Sequence, residues 1–180
     1  MRKVLFIFGE LNDFDIDWMT SAGRKEQLAK GACLIHEGKP VSAFYIILDG
    51  SFKVSVAALG DKEIARLGTG EIVGEMSFVE DRPPSATVKA LASSVVLSIP
   101  RVQLAAKLKQ DTAFAARFYR ALAVFLSFRL RKTVSQLGYG KSSPTEEEKE
   151  ASDELDANVL DNVYLAGARF DRMVKRLMGN

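Results

Sequence analysis

The chain contains very little histidine or cysteine. Among its 180 residues there is one histidine, His36, and one cysteine, Cys33. A protein metal site normally takes several such ligands, and a single cysteine cannot form an internal disulfide. The sequence also lacks a nucleophile-elbow motif, a Walker-type glycine loop and zinc-ligand spacing. We therefore expect no catalytic residues and no metal, and we do not expect an enzyme.

Long apolar runs are absent as well. Residues 4–8, which follow Arg2-Lys3, form an apolar run of five residues. A signal-peptide core needs roughly 7–15 and a membrane helix about 20. Because 47% of the residues are hydrophobic, the chain can still bury a core of ordinary size. These features predict a cytoplasmic protein that does not enter a membrane.

The net charge of +2 conceals an uneven distribution along the chain. Residues 101–141 carry nine basic residues and one acidic residue, whereas residues 142–162 carry eight acidic residues and one lysine. The acidic stretch is typical of an exposed or disordered linker, and it would repel DNA phosphate. Four segments are therefore predicted: an N-terminal helical segment (1–27), a central domain that ends in a long helix (28–138), an acidic linker (139–153) and a C-terminal amphipathic helix (154–180).

The central part of the chain has the pattern of an antiparallel β structure. Short runs rich in Val, Ile, Phe and Tyr alternate with Gly, Asp and Pro about every ten residues. The clearest predicted strands are residues 33–35, 43–48, 52–57, 62–67, 86–90 and 95–98. Asp49-Gly50 between two of them is a tight-hairpin signal, because glycine tolerates positive φ. We expect an α+β fold: an antiparallel β-roll, of the double-stranded β-helix or jelly-roll kind, flanked by an N-terminal helix and C-terminal helices.

Three polar or proline positions mark where helices begin. Asn12-Asp13 can cap a helix near the N-terminus. Pro100 suits the first position of a helix after the last strand, and Asp111-Thr112 can cap a second, longer one.

The long helix after residue 111 has two apolar faces. Aromatic residues including Phe114, Phe118 and Phe125 recur at helical spacing on one face. A second stripe consists of Leu126, Leu130, Val134 and Leu137. Because one face can cover the roll while the other contacts a partner chain, the pattern predicts a homodimer through residues 112–137.

The stretch from Gly74 to Val88 carries the clearest functional signal. It reads Gly-Glu-Met-Ser-Phe-Val-Glu-Asp-Arg-Pro-Pro-Ser-Ala-Thr-Val, and it resembles the phosphate-binding cassette of cyclic nucleotide-binding domains of the receptor-protein and kinase regulatory-subunit type. Segments 29–38, 44–54 and 67–75 resemble the opening strand, the central hairpin and the approach to the cassette in that family. Their joint order and spacing extend the resemblance over roughly residues 18–137.

The resemblance implies a binding site for cyclic AMP or cyclic GMP. The implied ligand-binding residues are Gly74, Glu75, Met76, Ser77, Arg82, Ser85, Ala86 and Thr87. Glu75 would accept a hydrogen bond from the ribose 2′-hydroxyl, as the equivalent glutamate does in the family. Gly74 would let the backbone approach the ligand, and the next helical turn would point amide groups at the phosphate. Small side chains and hydroxyls after Pro84 would complete the anion site.

One residue departs from the family pattern. The family has an arginine directly before the run of small residues, and this chain has Pro84 there. Proline has no side-chain donor and no backbone N–H, so it cannot hold a phosphate as a guanidinium does. Arg82, two positions earlier, is the substitute that could turn inward.

Three functions remain open from the sequence. The first is a regulatory sensor domain that binds cyclic AMP or cyclic GMP through a non-standard phosphate site and reports to an unidentified protein effector. The second is a degenerate domain that binds no ligand and acts as a protein–protein adapter. The third is a transcription regulator, but the family's regulators add a winged helix-turn-helix module of roughly 70 residues, whereas residues 139–180 follow here and begin with the acidic tract. We therefore do not expect a nucleic-acid partner.

Overall fold

Strands occupy the centre of the chain and helices its two ends in the computed structural model, which describes residues 4–80, 82–136 and 157–179. The helices are α1 (Val4–Glu10), α2 (Asp13–Ala22), α3 (Glu75–Val79), α4 (Arg101–Gln110), α5 (Thr112–Gln136) and α6 (Ala157–Met178). The strands are β1 (Arg24–Leu28), β2 (Cys33–Ile35), β3 (Ala43–Asp49), β4 (Ser51–Val56), β5 (Lys62–Gly68), β6 (Ile72–Val73), β7 (Thr87–Ala90) and β8 (Ser94–Pro100). The predicted acidic linker 139–153 and Leu137 lie outside the described residues.

The eight strands form two four-stranded sheets. One has the order β1-β8-β3-β6 and the other the order β2-β7-β4-β5. All the paired strands run antiparallel. This arrangement, flanked by helices, confirms the predicted antiparallel β-roll.

Strand β3 lies between the two hydrophobic cores of the molecule. Alternate residues Phe44, Ile46 and Leu48 belong to the core shared with the helices, whereas Ala43, Tyr45 and Ile47 belong to the core between the two sheets. Because successive side chains of a strand point to opposite faces, a strand covered on both faces must be apolar throughout. This is why β3 appears in the sequence as an unbroken apolar run.

The predicted hairpin at Asp49-Gly50 is wrong. Gly50 does have a positive φ of 101°, so the tight turn exists. However, β3 pairs with β6 and β8, while β4 pairs with β5 and β7. The turn therefore carries the chain from one sheet to the other, a distinction that local turn geometry does not make.

Strand β1 was missed because its sequence has no apolar alternation. Its five residues, Arg-Lys-Glu-Gln-Leu, are exposed except for the partly buried Leu28. It pairs with β8 at the edge of its sheet, where polar side chains are the rule. Tertiary pairing, and not local propensity, makes this segment a strand.

The helix caps follow the sequence closely. The side chain of Asn12 accepts a hydrogen bond from the Asp15 N–H at 2.9 Å, and the Asp15 carboxylate accepts one in return from the Asn12 N–H. At the start of α5, Asp111 accepts from the Phe114 N–H at 2.8 Å. Pro100 differs from its predicted position, because it ends β8 and α4 begins one residue later, at Arg101.

Helices α1, α5 and α6 form a layer against the first sheet. Helix α1 contacts both α5 and α6, and α6 places Ala166, Phe170 and Met173 in the same core as Phe8 of α1. Polar contacts support this packing, since Arg169 donates to Asp13 at 2.7 Å and to the Phe8 carbonyl at 2.8 Å. The C-terminal helix is therefore packed against the N-terminal helices.

Candidate functional site

The cassette begins at a residue that only glycine can occupy easily. Gly74 has φ +91°, and a Cβ there would lie 2.9 Å from the Ala43 carbonyl oxygen. This left-handed residue separates β6 from α3 and makes the chain turn sharply over the end of the sheet. As a result, Glu75 at the start of α3 lies inside the roll and is only 3% exposed.

A cavity of about 220 Å³ lies between the cassette, the two sheets and α5. Its apolar wall comes from both sheets and from the long helix, and consists of Ile35, Val54, Leu67, Ile72, Val73, Val88 and Phe125. Its charged lining residues are Glu75, Glu80, Arg82 and Arg129. An apolar cavity with a few convergent polar groups is the usual form of a small-molecule site.

Glu75 is paired with an arginine from the long helix. Arg129 Nη1 donates to Glu75 Oε1 in a close ion pair. The Arg129 guanidinium also lies 5.6 Å from the centre of the Phe125 ring, a cation–π distance. The side chain of Arg129 is 42% exposed. The buried carboxylate therefore does not stand alone, and α5 contacts the cassette through it.

Arg82 and Pro84 both line the cavity, but neither places a positive charge in its interior. The Arg82 side chain is 83% exposed and lies 3.8 Å from the Glu80 carboxylate. Pro84 carries no charge, and its carbonyl accepts a hydrogen bond from the Gly38 N–H at 2.9 Å. Arg82, which the sequence offered as a substitute for the cassette arginine, therefore lies at the rim of the cavity.

The other predicted site residues divide into two groups. Gly74, Glu75, Met76, Ser85 and Ala86 line the cavity together.

Thr87 is not among the cavity-lining residues. Its hydroxyl instead accepts a hydrogen bond from the Glu37 N–H at 3.2 Å, so it ties the loop after β2 to the start of β7. Ser77 lies within α3, and its side chain falls outside the described part of the structure.

Arg129 was not predicted as a site residue, although the sequence contains a signal for it. Phe118, Leu122 and Phe125 are buried on one face of α5. Arg129 lies four residues after Phe125, so it continues that face by one helical turn. A basic residue that continues a buried apolar face can pair with a buried acid, and the acid here is Glu75.

Size and charge together limit what the cavity can accept in this conformation. Its volume of about 220 Å³ is below the roughly 300–1,000 Å³ typical of ligand pockets. Among the described residues, the charged lining consists of two acids and two bases, whose formal charges sum to zero. An anionic ligand would therefore need either a shift of α5 or a rearrangement of these ion pairs.

Nothing in the described part of the structure forms a metal site of three or more His, Cys, Asp or Glu side chains. Cys33 Sγ lies 3.4 Å from His36 Nδ1, but this pair stands by itself. Burial raises the pKa of the Cys33 thiol, which disfavours the thiolate form that binds metals. Among the described helices there is also none whose length and hydropathy would let it cross a membrane.

Comparison with known sequences matches the strand-rich part of the chain to one family. Residues 25–111 match the family model described as "Cyclic nucleotide-binding domain". The Pycsar effector protein PaPycTIR of Pseudomonas aeruginosa is 40% identical over 82 residues, which are 45% of this chain and 26% of that protein. The cAMP-dependent protein kinase regulatory subunit of Blastocladiella emersonii is 28% identical over 118 residues, which are 64% of this chain and 29% of that protein. The chain thus spans less than a third of these relatives' own length.

Comparison with solved structures supports the same fold. A cyclic nucleotide-binding domain from Methylobacillus flagellatus superimposes with a TM-score of 0.68 and 21% sequence identity. The match covers 79% of this chain and 85% of that one. At this level of identity the likeness establishes the arrangement of strands and helices, while the ligand depends on the residues of the cavity.

Proposed function

We propose that this chain, whose residues 25–111 match the cyclic nucleotide-binding domain family model, is a regulatory sensor domain that takes cyclic AMP or cyclic GMP into the cavity beside Glu75. The observation that carries the proposal is a nearly fully buried carboxylate at the start of the cassette, aimed into an apolar cavity. A carboxylate can accept several hydrogen bonds, so Glu75 can accept one from a ribose 2′-hydroxyl in addition to its ion pair with Arg129.

The proposed ligand contacts follow the predicted roles. Glu75 accepts from the ribose hydroxyl, and Gly74 brings the backbone close to the phosphate. Ser85 and Ala86 contact the phosphate from the other side of the cavity. Phe125 and the aliphatic residues of the two sheets provide the apolar wall for sugar and base.

In this proposal, ligand binding is transmitted from the cavity by a shift of α5. Helix α5 closes the cavity with Phe125 and Arg129, and its buried face packs in the same core as α1 and α6. A ligand that binds best when α5 has shifted would favour that arrangement by its difference in affinity, and by no more than that. Helix α6 is then the element that presents the change to a protein effector.

Isothermal titration with cyclic AMP and cyclic GMP tests the proposal, with AMP as a ligand that lacks the cyclic phosphate. We expect binding of at least one cyclic nucleotide, together with thermal stabilisation that grows with ligand concentration. Glu75→Gln should weaken binding by about 10- to 150-fold, because a hydrogen bond to a charged group contributes about 1.5–3 kcal/mol. Glu80→Gln is the matched control, since Glu80 lines the rim and its side chain is largely exposed. Neither heat nor stabilisation at millimolar cyclic nucleotide would refute the sensor function.

The second candidate is a ligand-free adapter domain, and one observation favours it. The Glu75 carboxylate is already paired with Arg129, so the cavity needs no ligand to compensate its buried charge. If the chain is an adapter, the titration with cyclic nucleotides should give no binding heat while the protein remains folded and stable.

Self-association is also part of the proposed function. The aromatic face of α5 packs inside the chain's own core, where Phe114, Phe118 and Phe125 are buried. Leu130 and Val134 of the second stripe are exposed, Leu130 at 65%, so we place the homodimer contact on the C-terminal half of α5. Light scattering should show a dimer that Leu130→Glu converts to a monomer. An unchanged dimer in that variant would exclude this half of the helix as the interface.

A further inference from the structure

Arg129 is the more buried of the two described cations that line the cavity. Its guanidinium is held between the Glu75 carboxylate and the face of Phe125. The other cation, Arg82, is mostly exposed and lies near Glu80 at the rim. An anion that enters the cavity therefore meets Arg129 deeper in the site.

The position of Arg129 is suited to a ligand that carries a phosphate next to a hydroxyl. In a 3′,5′-cyclic nucleotide the free 2′-hydroxyl and the phosphate-bearing 3′-oxygen are on adjacent carbons of the ribose. A ligand that places its hydroxyl on Glu75 therefore places its phosphate close to whatever side chain holds Glu75. In this structure that side chain is Arg129.

The chemistry of the guanidinium allows both contacts at once. It has five N–H donors in a planar fork, more than one carboxylate oxygen accepts. The fork matches the geometry of carboxylate and phosphate oxygens. An arginine can therefore donate hydrogen bonds to the Glu75 carboxylate and to a phosphate at the same time.

We propose that Arg129 is the phosphate-binding cation of this chain, so that α5 supplies the charge that the cassette lacks at Pro84. The proposal rests on the sensor function given above. It also makes recognition selective for ligands with a ring phosphate beside a free hydroxyl. Because the cation belongs to α5, the phosphate itself would hold that helix in place.

The opposite role for Arg129 predicts an effect of opposite sign. If Arg129 only neutralises Glu75 and closes the cavity, it competes with the ribose hydroxyl for the same carboxylate. Removing it would then free Glu75 and tighten ligand binding. A phosphate-binding role requires that removing it weakens binding.

The test is Arg129→Gln, titrated with cyclic AMP and with adenosine, which lacks the phosphate. The matched control is Arg131→Gln, an exposed arginine two residues along the same helix. We expect the affinity for cyclic AMP to fall by about 10- to 150-fold in Arg129→Gln, the range for loss of a hydrogen bond to a charged group. The affinity of Arg129→Gln for adenosine should change little, and so should the affinity of Arg131→Gln for cyclic AMP. If Arg129 has only a structural role, Arg129→Gln should lose affinity for cyclic AMP and adenosine alike.

A second comparison covers the case in which Arg129→Gln fails to fold because Glu75 loses its partner. In a Glu75→Gln background Arg129 has no carboxylate partner at position 75, so adding Arg129→Gln leaves no unpaired charge on Glu75. The double variant should still bind cyclic AMP more weakly than Glu75→Gln alone. Equal or tighter binding would overturn the assignment.

The possible results separate the two proposals. If the wild-type chain binds a cyclic nucleotide and Arg129→Gln binds it equally well or better, this inference is wrong and the sensor function stands. If Arg82→Gln abolishes binding while Arg129→Gln does not, the phosphate cation is Arg82 and the inference is again wrong. If the wild-type chain binds neither cyclic AMP nor cyclic GMP, the sensor function fails and this inference fails with it.

Discussion

Restoring the missing arginine is the most informative single substitution in this protein. Pro84 lines the cavity, and the resemblance to the phosphate-binding cassette implies an arginine at this position. Its carbonyl bond to the Gly38 N–H involves only the backbone, so Pro84→Arg can keep it. The substitution adds a guanidinium and also a backbone N–H that proline lacks.

The expected gain in affinity follows from the bonds that become available. Hydrogen bonds to a charged group contribute about 1.5–3 kcal/mol, or roughly 10- to 150-fold in the dissociation constant. Among the described residues the charged lining consists of two acids and two bases, and the new arginine adds one positive charge to it. Loss of proline should reduce the stability of the unliganded chain by about 0.4–1 kcal/mol, because the unfolded chain gains freedom. Affinity and stability should therefore change in opposite directions.

Titration calorimetry with cyclic AMP measures the gain, and urea unfolding without ligand measures the loss. Pro83→Arg is the matched control, because it adds the same charge one residue earlier along the cavity wall. In an Arg129→Gln background, Pro84→Arg should recover much of the lost affinity, since one cation then replaces the other.

Two results would refute this reasoning. If Pro84→Arg binds cyclic AMP no more tightly than the wild-type chain, a ligand phosphate does not sit next to position 84. If Pro83→Arg gains as much as Pro84→Arg, only overall charge matters and the geometry of the cassette does not.

Three further predictions concern the helices around the roll. Phe170→Ala should lower the free energy of unfolding by about 3–5 kcal/mol, because Phe170 is 1% exposed. Tyr164→Ala on the same helix should change it by less than about 0.5 kcal/mol, because Tyr164 is 80% exposed. Urea titrations compare the two variants, and equal effects would contradict the packing of α6. Hydrogen bonding and charge attraction from Arg169 lower the pKa of Asp13 below its ordinary 3.8, so this pair stabilises the fold above that value and ceases to do so as the pH falls through the lowered pKa. The unfolding free energies of wild type and Asp13→Asn should therefore differ near neutral pH and converge once the pH is below the lowered pKa. Asn12→Ala should remove about 1 kcal/mol by deleting the cap of α2, measured in the same titrations, and a neutral effect would show that the cap is dispensable.

Local signals in the sequence predicted the elements whose structure depends on near neighbours. The cap at Asn12 forms because its bonding partner is three residues away, and the turn at Gly50 forms because glycine tolerates its φ. The apolar run of β3 indicated a strand because it is too short and too rich in β-branched and aromatic residues for a typical helix.

Features that depend on distant partners were not predicted in the same way. The polar strand β1 exists because β8 pairs with it. The chain turns from one sheet to the other at Gly50, and only the pairing of the complete strands decides this. Arg129 reaches Glu75 across 54 positions of sequence, a distance over which periodicity carries no information.

The sequence by itself determined the fold class, the place of the cassette and the absence of an arginine at position 84, because each of these depends on residue types in a fixed local order. Tertiary structure alone decided which charges meet in the cavity. It placed Thr87 outside the cavity lining, left Arg82 at the rim and brought Arg129 onto Glu75. The physical reason is that a buried charge must find a partner in space, and the fold, not the order of residues, determines which partner is near.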